Sequence, residues 1–103
     1  MPLSTHRSED GAPPTIAVEG RFDFGLHREF RNAYKSDDGT DAVRAYVIDL
    51  RNTEYMDSSA LGMLLLLREF AGGDSADIRI TNINQDIRQI LEISNFNRLF
   101  TIE

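Results

Sequence analysis

Two adjacent hydroxyls, Ser58 and Ser59, follow Asp57 at the point where a hydrophobic strand pattern gives way to a hydrophobic helix pattern. A serine there can be a nucleophile, a helix cap or an acceptor of phosphate. Nucleophilic attack needs a base within hydrogen-bond reach. The two histidines are His6, on an expected edge strand, and His27, on the expected exposed side of a helix. Both read as surface residues. No His or carboxylate group has the spacing of a metal site, and the glycines at 20, 25, 62, 72 and 73 form no phosphate-cradling loop. Lacking a base, a metal set or a cofactor site, the chain is expected not to be an enzyme.

Asp49 also ends a hydrophobic strand, as the phosphorylated aspartate of a receiver domain does. That chemistry requires an acidic pair after the first strand to hold Mg²⁺ and a lysine after a later strand. The sole lysine is Lys35, on the first helix, so the receiver reading fails.

The elements around the serines explain their position. Residues 45–48 form an apolar run with aromatic and β-branched members, suited to a strand covered on both faces. A polar turn is expected next, and then a helix opening at the serines. Asp57, Ser58 or Ser59 can each cap that helix, because a short side-chain oxygen accepts from free N–H groups of the first turn. Ala60, Met63, Leu64, Leu67, Phe70 and Ala71 fall within one arc of about 120°, a sufficient core face. Leu61, Leu65 and Leu66 lie outside it and are either covered by neighbouring segments or part of a contact surface. Gly72 and Gly73 close the helix.

Elsewhere, residues 3–8 read as a short edge strand entering a turn at 9–11. Residues 15–20 read as a second strand with Ile16 and Val18 on one face, and residues 20–25 as a loop with two aromatics. Leu26, Phe30, Ala33 and Tyr34 recur at helical spacing, and a polar loop at 36–41 ends that helix. Residues 77–81 alternate as a strand. Asn82 or Asn84 caps a helix over 85–94, Asn95 suits its left-handed exit, and 99–102 is a terminal strand or extended tail. Strands alternating with such helices imply β–α–β units and a mixed sheet in one domain over 1–103.

Composition narrows the function. Apolar residues make up 41% and charged residues 27%, ordinary values for a globular protein. Without cysteine there is no disulfide and no thiolate chemistry. A net charge of −6 argues against a nucleic-acid partner. The N-terminal residues lack the apolar segment of a secretory leader. The longest apolar run is far short of the roughly 18 residues a membrane span needs. A cytoplasmic location without membrane insertion is the expectation.

The run Met56, Asp57, Ser58, Ser59, Ala60, Leu61, Gly62 after a hydrophobic strand resembles the signature of the STAS domain family, specifically its bacterial anti-sigma factor antagonists. The resemblance extends from about residue 16 to 102. It includes Gly20, Arg21, Phe22 and Asp23 before the first helix, and LEISNFNRLFTI at 91–102. Ala60 stands where glycine is frequent, and the chain stops at Glu103 where many members continue into another helix. The resemblance implies an α/β fold: a mixed sheet of about four to five strands with three or four helices packed mainly on one face. It implies phosphorylation of Ser58 by a partner that is both serine kinase and anti-sigma factor, and removal of the phosphate by a phosphoserine phosphatase. Asp23, Asp57, Ser58, Ser59, Leu61 and Leu65 are then the expected partner-binding residues. A second class is a non-switching STAS-like subunit that braces a transporter or another multiprotein complex.

Overall fold

The computed structural model describes residues 3–6, 12–35 and 45–103. The turn expected at 9–11 and the loop expected at 36–41 lie outside them. Strands β1 (Leu3–His6), β2 (Thr15–Val18), β4 (Ala45–Asp49), β6 (Asp77–Thr81) and β7 (Thr101–Ile102) form one sheet in the order β1-β2-β4-β6-β7. β1 is antiparallel to β2 and the other neighbours are parallel, giving the mixed sheet the alternation implied. Three α-helices join the strands: α1 (His27–Lys35), α2 (Ser58–Phe70) and α3 (Gln85–Ile93).

Alternation along the strands fixes which face the helices cover. Ile16, Val18, Tyr46, Ile48, Ile78 and Ile80 are buried, whereas Ala17, Ala45 and Val47 are half-buried and Arg79 is exposed. β4 is therefore covered fully on one face, not on both as its apolar run implies. The reason lies across the sheet: small or polar neighbours pair with the second face, Thr15 and Arg79 beside Val47.

A second, two-stranded parallel sheet joins β3 (Gly20–Phe22) to β5 (Thr53–Met56). The expected loop at 20–25 and the expected polar turn before the serines are thus each partly strand. Thr53, the buried polar residue of the described chain, donates its hydroxyl to the Val18 carbonyl at 2.7 Å. The Gly20 N–H donates to the Asn52 carbonyl at 2.9 Å, and Gly20 adopts φ +74, a conformation side chains disfavour. These bonds turn the chain out of the main sheet into the ribbon.

Helix α2 buries Ala60, Met63, Leu64 and Leu67, followed by Ala71, as its periodicity requires. Phe70 departs from that face and is 46% exposed. Its ring instead lies against Tyr34 of α1, with centroids 5.1 Å apart, and extends an aromatic chain through Phe30 to Phe22. Burial raises the Tyr34 phenol above its ordinary pKa, and the Arg31 guanidinium pulls the other way. Leu65 and Leu66 are exposed at 39% and 56%, while Leu61 is half-buried against the core. Asn84 caps α3 by accepting from the Ile87 N–H at 2.8 Å. That helix is followed by Asn95 at φ 59, the left-handed exit its sequence implied. No described helix is long and apolar enough to cross a membrane.

The two faces of α2 give the first test. Leu64 is fully buried, so Leu64→Ala should lower unfolding free energy by about 2–5 kcal/mol through lost contacts and a residual cavity. Leu65→Ala should lower it by less than about 1 kcal/mol. Urea denaturation of the two variants measures the difference.

Candidate partner-binding site at the start of the serine helix

The site is built where the ribbon ends. β3 and β5 are parallel, with Phe22 opposite Met56, so the next residues along the two strands are Asp23 and Asp57. Their backbones match closely: Asp23 has φ −136 and ψ −171, Asp57 φ −130 and ψ −171. Each carboxylate then caps the turn that follows. Asp57 Oδ1 accepts from the Ser59 N–H at 3.0 Å and the Ala60 N–H at 3.3 Å. Asp23 Oδ1 accepts from the Gly25 N–H at 3.0 Å, and its second oxygen accepts from Arg21 Nε at 3.2 Å. A Cβ at Gly25 would stand 3.1 Å from that carboxylate oxygen, so the tight turn favours glycine.

Of the three possible caps of α2, the structure uses Asp57. Among the described residues no hydrogen bond engages the hydroxyl of Ser58 or Ser59. Ser58 is exposed and Ser59 half-buried. At about 100° per residue, Ser58, Gly62 and Leu65 lie on the outward side of α2, with Leu61 rotated toward the core. Gly62 is exposed, and a Cβ added to it would meet nothing within 4 Å. Ser58 and Leu65 therefore share one open face. Leu61 reaches it only by its edge, and Asp23 borders it with both oxygens already engaged.

Sequence reasoning missed three features around the ribbon and the loop that follows it. Arg21 lies over the Tyr55 ring at 4.0 Å while it pairs with Asp23, so a cation bridges the ribbon to the loop. Phe24 is 68% exposed and stacks on His27, with ring centroids 5.1 Å apart. An open polar cleft of about 880 Å³ runs between Glu19, Gly20, Arg51, Asn52, Glu54 and Asn84. On its rim Asn84 donates to the Thr53 carbonyl at 3.3 Å, which ties the start of α3 to β5. The Arg21–Tyr55 contact and the cleft were not visible in sequence, because they depend on reading 53–56 as a strand beside 20–22. Asp49 has a structural task, accepting from the Arg51 N–H and from Asn82 Nδ2 at 3.0 Å each.

This chain belongs to the STAS domain family: the family model described as "Mlab, STAS domain" matches residues 5–101. It is 53% identical over 102 residues to a STAS-domain containing protein of Pseudomonas aeruginosa, covering 99% of each chain. Its fold resembles that of the anti-sigma factor antagonist SpoIIAA in its unphosphorylated form, with TM-score 0.80 and 15% identity over 98% of this chain and 87% of the other. The phosphorylated form of the Bacillus cell fate determinant SpoIIAA matches at TM-score 0.73 and 15% identity, covering 98% and 90%. A structure of a putative anti-sigma factor antagonist from Thermotoga maritima matches at 0.75 and 13%, covering 97% and 84%. The mixed α/β fold expected from the residues is thus the STAS fold.

The cap is open to direct measurement. Asp57→Ala should destabilise the protein by about 0.5–2 kcal/mol, whereas Asp57→Asn, which keeps an accepting oxygen, should retain most of the stability. Thermal melts of both variants at neutral pH give the comparison.

Proposed function

We propose that this protein is an anti-sigma factor antagonist that works by partner switching. Unmodified, it binds an anti-sigma factor with serine kinase activity through a face that includes Asp23, Asp57, Ser58, Ser59, Leu61 and Leu65. Phosphorylated on Ser58, it releases that partner, and a phosphoserine phosphatase restores it. The role is regulatory, non-enzymatic and cytoplasmic. The observation that carries the reading is an exposed Ser58 with an unengaged hydroxyl, at a helix start whose cap is supplied by its neighbour. The fold-level likeness to SpoIIAA, solved in unphosphorylated and phosphorylated forms, supports it.

A phosphate acts only through its different effect on the free and bound states. In the free protein it adds about −1.5 to −2 charges at an exposed position, at the positive end of a helix dipole that favours anions. The fold loses little. In a complex the same group must shed water next to Asp57 and against a packed surface, an unfavourable change unless a cation meets it.

A non-switching structural subunit of a transporter or another multiprotein complex is the second reading. Leu66 and Phe70 favour it, since they are exposed two to three helical turns beyond Ser58 and outside the reach of its charge. Such a subunit holds its partner whether or not Ser58 carries phosphate.

The test mixes the protein with the anti-sigma factor and ATP, locates phosphate by mass spectrometry, and measures affinity of both forms by calorimetry. Phosphate on Ser58 should weaken binding at least about tenfold, or 1.4 kcal/mol. Ser58→Asp should reproduce part of the loss and Ser58→Ala should bind constitutively. Leu65→Ala should weaken binding by about 1 kcal/mol or more if Leu65 anchors the contact. Phosphate on Ser59 alone, or equal affinity of both forms, removes the switch.

A further inference from the structure

Helix α1 has a second face with no role in the core or the serine site. His27, Arg28, Arg31, Asn32 and Lys35 fall within about 140°, an arc that adjoins the buried Tyr34 at its His27 edge and turns away from it toward Asn32. Glu29 stands on the flank of that arc. Arg28, Arg31 and Lys35 are exposed. None of them joins the ion pairs of the described residues, which are Arg21–Asp23, Arg68–Asp74 and Arg79–Glu103. In a chain of net charge −6 this is a local reversal of sign. A hollow of about 350 Å³ lies among His27, Arg28, Arg31 and Asn32.

Exposed aromatics mark both ends of the stripe. Phe24, 68% exposed, stacks on His27, and Phe70, 46% exposed, lies beneath the Lys35 ammonium at 5.7 Å. From His27 to Lys35 the helix rises about 12 Å. That length, with cations between two apolar ends, matches a few residues of peptide. It is too short to follow a lipid surface or a nucleic-acid backbone. The net charge of the whole molecule repels such extended polyanions. At physiological ionic strength screening acts within about 8 Å, so a short acidic segment seated on the stripe meets mainly its local cations.

We infer that the outer face of α1 is a docking site for a short acidic segment of a partner protein, its carboxylates meeting Arg28, Arg31 and Lys35 and its apolar residues resting on Phe24 and Phe70. This contact is separate from the proposed switch and does not depend on the state of Ser58.

The experiment titrates the isotope-labelled full chain with a peptide of alternating glutamate and leucine carrying one phenylalanine, followed by amide chemical shifts. Shifts should map to α1 and Phe24, and raised salt should weaken the affinity. Arg28→Glu with Arg31→Glu should lower it at least about tenfold, and Phe24→Ala should lower it further. Arg28→Gln with Arg31→Gln, checked for helix content by circular dichroism, should lose affinity while the fold is kept. Ser58→Asp should leave it unchanged. The inference is overturned by equal binding of the lysine-for-glutamate peptide, by shifts elsewhere, or by no response at millimolar peptide. It is also overturned if phosphatidylglycerol vesicles or a short single-stranded oligonucleotide occupy α1 while the acidic peptide does not.

Discussion

The hydrogen bond from Thr53 to the Val18 carbonyl is the constraint on which the site depends. It pairs a buried hydroxyl with a carbonyl acceptor, which offsets the cost of taking that hydroxyl out of water. It also ties the first residue of β5 to the last residue of β2 in the main sheet. Once β5 is set beside β3, the aspartates that end the two strands lie next to one another, and each starts a helical turn. The position of Ser58 follows from this ribbon more than from α2 itself.

The electrostatics at that corner are balanced by short-range contacts. Two carboxylates end neighbouring strands, yet each faces backbone N–H groups, and Arg21 supplies a cation against Asp23. The Arg21 pair is largely exposed, so it orients the loop more than it stabilises the fold. The outcome is a hydrogen-bonded frame around an unengaged hydroxyl. A modification there changes the surface and leaves the framework in place.

Much of the architecture was legible because burial imposes a period. The alternation at 77–81 and the helical spacing of Phe30 and Tyr34 mark faces that any packing of these segments must cover. The cap motif at 57–59 and the left-handed asparagine at 95 were legible from local chemistry. The ribbon was not: residues 20–22 and 53–56 are three and four residues long, too short to show a period, and they pair only with each other. Phe70 misled for a related reason. Its place on the helix wheel fits the core, but a ring of that size at the last turn reaches the neighbouring helix, and Tyr34 already fills the space beneath. At the serine site the sequence indicated the residues and their order, while the choice of Asp57 as cap and the inward turn of Leu61 required three dimensions.

Gly62 carries a consequence for how this surface tolerates change. A Cβ in its place would meet, beyond its own stretch of helix, no atom of the described residues within 4 Å, and helices gain about 1 kcal/mol from the exchange of glycine for alanine. The molecule holds a notch of bare backbone one turn beyond Ser58, on the open side of α2. Selection for thermal resistance alone would fill it. A variant library screened only for heat tolerance should therefore drift to alanine at this position, and the surface it enriches would be raised by one methyl, one turn beyond Ser58.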